Sequence, residues 1–422
     1  MKTKLKAGVE AEYNQAQTII MHTPGDEIFY GALQGTAALF EDNPFDRYNV
    51  TKEHEGYVAK LKELGTEVYL IKDILMQGTL DSQGNKVENQ ELEELINFAS
   101  KSLKISYPID IAEEEFSKLK NYKIKTLNKL HPSDLVKIIL EKPSIEIELS
   151  DEGNTDLIAK NYSCQPVMNL HFLRDQQITT DKGVVIGKMN STQRKAETEI
   201  TKFAFKKLGI EPAYEITGEG RLEGGDFIPC GNYAFIGQGL RTNEEGIKQL
   251  LENEAFGYKE VVVVKDHYKQ QDEMHLDTYF NIAGPNKVVI LEDRVDHYNK
   301  EGNFVKANSE KQTTVDVYAL SESGKYTKFI HDVNFQDYLE TKGFVVGKQG
   351  EDNSLVTLTK EEQLNYGVNF ITINANEVVA VKDVSSDYLE KMKGVKVHQV
   401  NLKTFVKTYG APHCATQVIE RK

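Results

Sequence analysis

Cys414 stands in the stretch PHCATQ, directly after His413 and within a loop-like run of small and cyclic residues. A cysteine thiolate is a strong nucleophile when a nearby imidazolium or cationic ligand lowers the pKa of the thiol. The simpler alternative is a buried cysteine that packs as a small hydrophobic residue. Because packing does not require a thiol in a loop, this position favours a nucleophilic role for Cys414.

A second stretch, EMHLDTYF, supplies a proton carrier and a carboxylate, His275 and Asp277. If this stretch is a strand, residues i and i+2 project from the same face and can contact one ligand together. An HxD pair can also be half of a metal site. No Cys/His cluster in the sequence has the spacing of a structural zinc site, so we predict that no metal is bound.

Two further stretches carry carboxylates. In RLEGGDF, Glu223 and Asp226 flank two glycines, which let the backbone turn sharply or approach a ligand closely. The stretch MNLHFLRD is strand-like in composition and contains the polar or aromatic residues Asn169, Phe172, Arg174 and Asp175. Each stretch has a simpler explanation: an acidic turn in the first case and the solvated edge of a strand in the second.

The four stretches together suggest a cationic substrate. Carboxylates beside a thiol raise its pKa, so they do not activate the nucleophile. They are explained if a guanidinium lies between Asp175 and Asp277, because its N–H donors would be satisfied and its central carbon would face the Cys414 sulfur. We therefore expect a small cationic guanidino compound as the substrate.

Composition excludes other classes of partner. The 422-residue chain has a formal net charge of −14, which repels phosphate backbones and anionic membranes, so we expect neither nucleic acid nor membrane as a partner. The three cysteines are odd in number and far apart, as is typical of a reducing compartment. No apolar stretch is long enough for a signal peptide or a membrane span. We expect a soluble, cytoplasmic protein.

The elements that must position these residues alternate between strand and helix. The run TIIMHTP predicts a strand, the apolar spacing from Tyr57 to Leu64 predicts a helix, and EVYLIKD predicts the next strand. From about residue 75 to 155, two amphipathic patterns predict a helical insertion; the second helix starts at Pro132.

After residue 160, one unit recurs. An apolar strand, a polar turn and an amphipathic helix follow each other in GVVIGKMNSTQRKAETEITKFAFKKLGI, YAFIGQGLRTNEEGIKQLL and NEVVAVKDVSSDYLEKMKGV. Recurrence of one supersecondary unit favours a radial array or a solenoid over a single wound sheet.

The order of the motifs resembles one known family. The set NLHFLRD, QRKAET, EGGD, GLRT, MHLD and HCATQ, together with the N-terminal MHTPGDEI and ALFEDNPFD, is similar to arginine deiminases of the guanidino-group-modifying (pentein) superfamily. The resemblance implies an α/β fold, a five-bladed α/β propeller of ββαβ units. Residues 1–74 and 156–422 would form the propeller, and residues 75–155 the helical insertion.

The resemblance also implies roles for individual residues. Cys414 would be the nucleophile, His275 the general acid and then base, and Glu223 the residue that orients His275. Asp175 and Asp277 would clamp the guanidinium. The remaining implied substrate-binding residues are Asn169, Arg194 and Arg241 at the amino-acid end, Phe172 at the aliphatic stem, and Asp226 in the polar network. No cofactor is implied, and a homo-oligomer is expected.

The predicted reaction is hydrolysis of L-arginine to L-citrulline and ammonia through an amidino-thioether on Cys414. The sequence departs from the family in the last loop, KTYGAPHC, which has no arginine between Lys407 and Cys414, and in FLRDQQ where FTRDP is usual. The alternatives are hydrolysis of another guanidino or ureido compound such as citrulline or an agmatine-like substrate, amidino transfer, and a non-catalytic binding protein.

Overall fold

The computed structural model describes residues 5–150, 156–347 and 354–422. In that part of the chain the α-helices are α1 Phe29–Ala32, α2 Arg47–Glu63, α3 Ile71–Met76, α4 Gln90–Ser102, α5 Glu113–Lys129, α6 Pro132–Glu141, α7 Lys195–Leu208, α8 Glu244–Glu252, α9 Phe335–Thr341, α10 Lys360–Leu364 and α11 Tyr388–Lys391.

The strands of the same described residues are β1 Ala16–Met21, β2 Glu67–Leu70, β3 Lys104–Ser106, β4 Pro143–Leu149, β5 Leu157–Cys164, β6 Gln177–Thr180, β7 Gly183–Ile186, β8 Tyr214–Glu215, β9 Phe227–Cys230, β10 Tyr233–Gln238, β11 Glu260–Lys265, β12 Phe280–Gly284, β13 Lys287–Leu291, β14 His297–Tyr298, β15 Phe304–Val305, β16 Thr314–Leu320, β17 Tyr326–Asn334, β18 Leu355–Leu358, β19 Ile371–Asn374, β20 Glu377–Val381, β21 Lys396–Val400 and β22 Gln417–Arg421.

One sheet pattern recurs five times within the described residues. An antiparallel pair is followed by a helix and then by a third strand that runs parallel to the second. The five sheets are β22-β1-β2, β6-β7-β8, β9-β10-β11, β12-β13-β18 and β19-β20-β21. The third of these is extended by β16 and β17. This confirms the α/β class and the recurring strand–turn–helix unit.

The sequence of each unit accounts for its local structure. In the third sheet, β10 and β11 read YAFIGQ and EVVVVK, and their central residues are buried on both faces, as expected for paired parallel strands. In the second unit, helix α7 buries one apolar stripe that includes Ile200, Ala204 and Phe205. The helix ends where Gly209 adopts a φ of 72°, a conformation that glycine tolerates better than other residues.

The site residues occupy equivalent positions in four of these sheets. Each candidate segment ends just before the first strand of an antiparallel pair: residues 169–175 before β6, 223–226 before β9, 275–277 before β12, and 413–414 before β22. In the fifth sheet the equivalent segment, before β19, contains Asn369. The fold therefore brings segments that are distant in sequence to one centre.

The segment predicted as a helical insertion also contains strands. Helices α4, α5 and α6 lie within it, and α6 begins at Pro132 as predicted. The helices do not account for the whole segment, because β3, β4 and β5 form a three-stranded sheet in residues 104–164. The alternating pattern of PSIEIEL in β4 is the sequence signal for this strand. Residues 151–155 of the predicted insertion lie outside the described residues.

Three local predictions were wrong. The stretch MNLHFLRD forms consecutive turns instead of a strand, and EVYLIKD leaves the strand after Leu70 and enters helix α3. In EMHLDTYF, His275 precedes a short 3-10 helix over residues 276–278, so the side chains of His275 and Asp277 do not share a strand face. Apolar periodicity over stretches this short does not distinguish a strand from turns or from the first turn of a helix.

Among the described residues, no helix combines the length and the apolar character needed to cross a lipid bilayer.

Candidate active site

Cys414 lies among buried carboxylates. Its sulfur is 3.7 Å from Oδ2 of Asp277, and its backbone N–H donates to Oδ1 of Asn369 at 3.2 Å. Only 7% of the residue is exposed. Burial, together with the carboxylates of Asp277 and Asp175, raises the pKa of the Cys414 thiol well above its ordinary value. Cys414, the predicted nucleophile, is therefore a neutral thiol at rest, as expected for a thiol beside carboxylates.

His275 lies between two acidic partners. Its Nε2 is 2.9 Å from Oε2 of Glu223, and its Nδ1 is 3.8 Å from Oδ1 of Asp175. Burial alone would lower the pKa of His275, but Asp175 and the hydrogen bond with Glu223 outweigh burial and raise this pKa to about 9. Burial opposes ionisation of Glu223 as well, yet the bond with His275 holds its pKa at about 2. His275 is therefore an imidazolium at neutral pH and can donate a proton.

Asp175 is held by Arg194. Nη1 of Arg194 donates to Oδ2 of Asp175 at 2.6 Å, and Nε and Nη2 donate to Oε2 of Glu197 at 3.1 and 2.9 Å. Nη2 also lies 3.3 Å from the carbonyl oxygens of Asn169 and Phe172. Since Arg194 is engaged by these groups, its guanidinium orients Asp175. Its predicted contact with the amino-acid end of a substrate stays a prediction.

The two carboxylates predicted to form the clamp each keep one unpaired oxygen. Oδ1 of Asp175 and Oδ1 of Asp277 are buried, and neither has a hydrogen-bond partner among the described residues. A buried carboxylate oxygen without a donor is unfavourable. The planar N–H donors of a guanidinium would satisfy both oxygens next to the Cys414 sulfur.

Asp226 fixes the turn that carries His275 and Asp277. Its Oδ1 accepts a hydrogen bond from the backbone N–H of Leu276 at 3.0 Å, and burial raises the pKa of Asp226 to about 7. The preceding residue must be glycine, because a Cβ on Gly225 would lie 2.7 Å from Nδ1 of His275. Gly225 thus allows the side chain of His275 to approach the backbone closely.

The other predicted binding residues, Asn169, Phe172 and Arg241, contact protein groups around the site. Nδ2 of Asn169 donates to the carbonyl of Ala38 at 3.2 Å. The ring of Phe172 packs edge-on against Phe405, with centroids 5.8 Å apart. Arg241 donates from Nη2 to Oε1 of Gln271 at 3.3 Å and to Sδ of Met274 at 3.7 Å, while its Nε has no partner among the described residues. The roles assigned to these three residues stay predictions.

A cleft opens beside Cys414, with about 460 Å³ of empty space that includes its solvent-open mouth. The residues that line it are Glu41, Asp272, Met274, Thr278, Gln363, Leu364, Tyr366, Asn369, Tyr409, Gly410 and Cys414. The nucleophile is thus buried but accessible from one side.

The sequence analysis did not assign three residues that the structure places in the site. Nδ1 of His413 is 2.7 Å from Oδ2 of Asp277, and its Nε2 is 3.5 Å from Oε1 of Glu12. Nδ2 of Asn369 donates to the carbonyl of Asp277 at 3.2 Å. The position of Asn369 before the strand of a repeated unit was an available signal. No pattern in the sequence marks Glu12.

The side chains of Asp175, Glu223 and His275 also place three possible ligand atoms within 4.8 Å of one another, a spacing that could hold a metal ion. A metal requires a neutral histidine as ligand. His275 is protonated near neutral pH and already bonded to Glu223, so this set is better suited to proton transfer than to metal binding.

Comparisons with known proteins identify the family of this chain. The sequence model of arginine deiminase matches residues 37–421. The chain belongs to the arginine deiminase family. Within it, the chain is 25% identical to the arginine deiminase of Halobacterium salinarum, over 99% of this chain and 97% of the relative. It is 26% identical to the arginine deiminase of Streptococcus agalactiae, over 98% of each.

Solved structures share the fold of this arginine deiminase family member. The DDAH of Pseudomonas aeruginosa, crystallised as a mutant with citrulline, aligns with a TM-score of 0.50 at 14% identity, over 96% of this chain and 99% of the other. Unliganded AgrE aligns with a TM-score of 0.51 at 13% identity, over 96% of this chain and 39% of the other. At these identities the likeness concerns the fold alone.

Proposed function

We propose that this protein hydrolyses the guanidinium group of L-arginine to give L-citrulline and ammonia. The observation that carries the proposal is that one buried oxygen of Asp175 and one of Asp277 have no hydrogen-bond partner among the described residues, beside the Cys414 thiol and the His275 imidazolium. The family membership of the chain and the arginine deiminase names of its relatives support the same reaction.

Substrate binding activates the nucleophile in this scheme. A guanidinium between Asp175 and Asp277 brings a positive charge beside the thiol, which offsets the carboxylates that raise the pKa of Cys414. The sulfur then attacks the central carbon of the guanidinium. The departing nitrogen receives the thiol proton and one proton from the His275 imidazolium and leaves as ammonium, so His275 becomes neutral and a positively charged amidino-thioether remains on Cys414.

Water completes the cycle. His275, now neutral, takes a proton from water as the oxygen attacks the amidino carbon. The C–S bond breaks as the proton of the attacking hydroxyl passes to the sulfur, and L-citrulline is released with the thiol and the His275 imidazolium restored, so that the sum is arginine plus water to citrulline plus ammonium. Glu223 holds the His275 ring in position through both halves.

The test is product analysis with a matched cysteine control. Wild-type protein with L-arginine should form citrulline and ammonia in equal amounts, and Cys414→Ser should lose at least ~10³-fold in turnover. Cys164→Ser should behave as wild type, since Cys164 lies in β5, away from the site. Brief exposure to arginine followed by acid quench and intact-mass measurement should show the amidino adduct on Cys414. Absence of citrulline with folded wild-type protein would refute the proposal.

We propose a five-bladed propeller as the arrangement of the five sheets, with residues 1–74 and 156–422 in the propeller and 75–155 inserted. The supporting observation is the equivalent position of the site segments before the first strand of each antiparallel pair. The homo-oligomeric state and the cytoplasmic location stay predictions.

A further inference from the structure

A methionine lies between the cleft beside Cys414 and Arg241. Met274 lines the cleft and directly precedes His275 in the chain. Its sulfur is 3.7 Å from Nη2 of Arg241 and 3.8 Å from Nε2 of Gln271, so the thioether accepts from two N–H donors. A thioether sulfur is a weak hydrogen-bond acceptor. Met274 therefore holds Arg241 only loosely at the border of the cleft.

Arg241 has free capacity to bind an anion. Its Nη2 also donates to Oε1 of Gln271 at 3.3 Å, so the bonds of its guanidinium within the described residues go to an amide and a thioether, not to a carboxylate. Its buried Nε has no hydrogen-bond partner in that part of the chain. Such a guanidinium suits the carboxylate of an amino-acid substrate, as predicted for Arg241 from the sequence. The acceptor that Met274 presents to Arg241 therefore affects the affinity for that carboxylate.

Met274 is accessible as well as close to Arg241. It is one of two half-buried methionines among the described residues, and the other is Met76 in helix α3. The remaining described methionines are buried, at 9% exposure or less: Met21, Met168, Met189 and Met392. Oxidation of a methionine to its sulfoxide needs access of the oxidant to the sulfur and converts an apolar side chain into a polar one. An oxidant that enters the cleft would thus reach Met274 before the buried methionines.

The thiol in the same cleft is protected from oxidation. Burial and the carboxylates of Asp277 and Asp175 raise the pKa of Cys414, so its sulfur keeps its proton. Oxidants attack the thiolate form of cysteine, so a neutral thiol reacts slowly. The thioether of Met274 carries no proton and has no such protection.

We propose that Met274 is a site of reversible oxidation that controls the affinity of the cleft for substrates with a tail carboxylate. The oxidant is a peroxide. With hydrogen peroxide, the S–O bond forms, the O–O bond breaks, and the departing oxygen leaves with both protons as water, so sulfur is oxidised and the peroxide is reduced. The sulfoxide oxygen then accepts from Nη2 of Arg241 more strongly than sulfur does and competes with the carboxylate of L-arginine. This inference rests on the proposed function, because L-arginine is the substrate that loses affinity.

Hydrogen peroxide treatment of the wild-type protein tests the site and its effect. Peptide mass mapping should find an added oxygen on Met274 earlier than on the buried methionines. After dithiothreitol has reversed any sulfenic acid on Cys414, KM for L-arginine should be raised ~10-fold, the size of one charge-assisted contact, and kcat should change by less than ~3-fold. Methionine sulfoxide reductases of both stereospecificities should return KM to its starting value. Earlier oxidation of the buried methionines, or loss of kcat at constant KM, would overturn the proposal.

Variants separate Met274 from the other methionines. Met274→Leu removes the sulfur, so peroxide should leave the KM of this variant at its own untreated value. Met274→Gln places a permanent amide oxygen near Arg241 and should show a raised KM without peroxide. Met76→Leu is the matched control, because it removes the other half-buried methionine and should keep the full response to peroxide. A response that persists in Met274→Leu, or that disappears in Met76→Leu, would contradict the inference.

Binding to Cys414→Ala separates this inference from the reaction itself. After peroxide, the calorimetric dissociation constant of L-arginine should rise ~10-fold, and that of 4-guanidinobutylamine, which lacks the carboxylate, should change by less than ~3-fold. Equal weakening of both ligands would count against the inference. If the wild type does not hydrolyse arginine but the selective shift appears, the proposed reaction is wrong and the role of Met274 stands. If arginine is hydrolysed and oxidised Met274 changes neither KM nor the dissociation constant, the role of Met274 is wrong.

Discussion

At the scale of single residues, Asp277 organises the site. Its Oδ2 lies 2.7 Å from Nδ1 of His413 and 3.7 Å from the Cys414 sulfur, so this one oxygen contacts both the histidine and the thiol. The other oxygen stays free for substrate. His413 thereby fixes the carboxylate through an N–H donor without itself entering the cleft, since it is fully buried.

This geometry predicts an effect of His413 on substrate orientation. His413→Asn keeps a donor near the position of Nδ1 and should raise KM less than His413→Phe, which removes the donor and should raise KM by ~10- to 100-fold. The check is the rate of Cys414 alkylation by chloroacetamidine, a cationic reagent, relative to neutral iodoacetamide. That ratio should fall in His413→Phe and recover partly in His413→Asn. A purely structural role would leave the ratio unchanged.

The pKa of His275 predicts how stability depends on pH. The folded-state pKa is about 9 and the ordinary value is 6.5, so between these values the folded protein binds more protons than the unfolded chain. The stabilisation is complete below pH 6.5 and is lost as the pH rises through about 9, by an amount on the order of 3 kcal/mol. Urea unfolding across this range should show the decline, and His275→Gln should reduce it. Stability that rises with pH in this window in the wild type alone would contradict the assignment.

The three clustered ligand atoms of Asp175, Glu223 and His275 allow a direct test for a metal. Because His275 is protonated near neutral pH, we expect prolonged dialysis against EDTA to leave citrulline formation within about 20% of its starting value. Elemental analysis of the active protein should find less than one equivalent of any transition metal. Loss of activity that added zinc restores would contradict this prediction.

At the scale of elements, the candidate site is built from junctions, the segments that precede the first strand of each antiparallel pair. Four junctions carry the predicted catalytic residues, and the fifth carries Asn369. The Asn369 side chain accepts a hydrogen bond from the backbone N–H of Cys414 and donates one to the backbone carbonyl of Asp277. The backbone carbonyl of Asn369 accepts a hydrogen bond from the N–H of His413 at 3.1 Å. Asn369 therefore connects the segment that contains His413 and Cys414 to the segment that contains Asp277.

Replacement of Asn369 should disturb both segments. Asn369→Leu has a similar volume and leaves a buried N–H and a buried carbonyl without partners, which costs about 1–3 kcal/mol for each group. We expect the melting temperature to fall and kcat to fall by ~10-fold or more. Asn365→Leu, on the same connection and bonded to the carbonyl of Val384, is the control for general destabilisation. Equal losses of kcat in the two variants would show that Asn369 has no specific role.

The sequence predicted the repeating elements better than the junctions between them. Strands such as EVVVVK and helices such as α6 follow from apolar periodicity and capping signals. The junctions have no period: residues 169–175 form turns, and His275 precedes a single 3-10 turn. The candidate catalytic residues could be named there from their chemistry and from an order that resembles a family. The engagement of Arg194 by Glu197 and Asp175 is a tertiary contact that no local pattern contains.

At the scale of the whole molecule, buried charges join the two ends of the described chain. Arg421, in β22, donates from Nη2 to Oε1 of Glu12 at 2.6 Å and from Nη1 to the carbonyl of Thr372 at 2.7 Å. Burial opposes ionisation of Glu12, but Arg421 and its other partners hold the pKa of Glu12 at about 2. Oε1 of Glu12 also lies 3.5 Å from Nε2 of His413, so the ion pair between Glu12 and Arg421 contacts a residue of the candidate site.

Removal of one partner of this pair should destabilise the fold. Arg421→Met removes the shortest ion pair of the buried Glu12 and leaves it the longer contacts with Arg174 at 3.8 Å and His413 at 3.5 Å. We expect a loss of about 3–5 kcal/mol in the free energy of unfolding. The double variant Glu12→Gln with Arg421→Met should be less destabilised than Arg421→Met alone, because the isolated charge is gone. Urea unfolding of the three proteins tests this coupling. A double variant that loses at least the sum of the single losses would argue against it.

The antiparallel partner of β1 is β22, which follows Cys414 directly. During synthesis on the ribosome, the nucleophile and the strand that anchors it emerge after all other parts of the catalytic centre. An incomplete nascent chain therefore lacks the predicted nucleophile. Proteolytic trimming of the same strand would inactivate the mature protein without cutting any other catalytic segment.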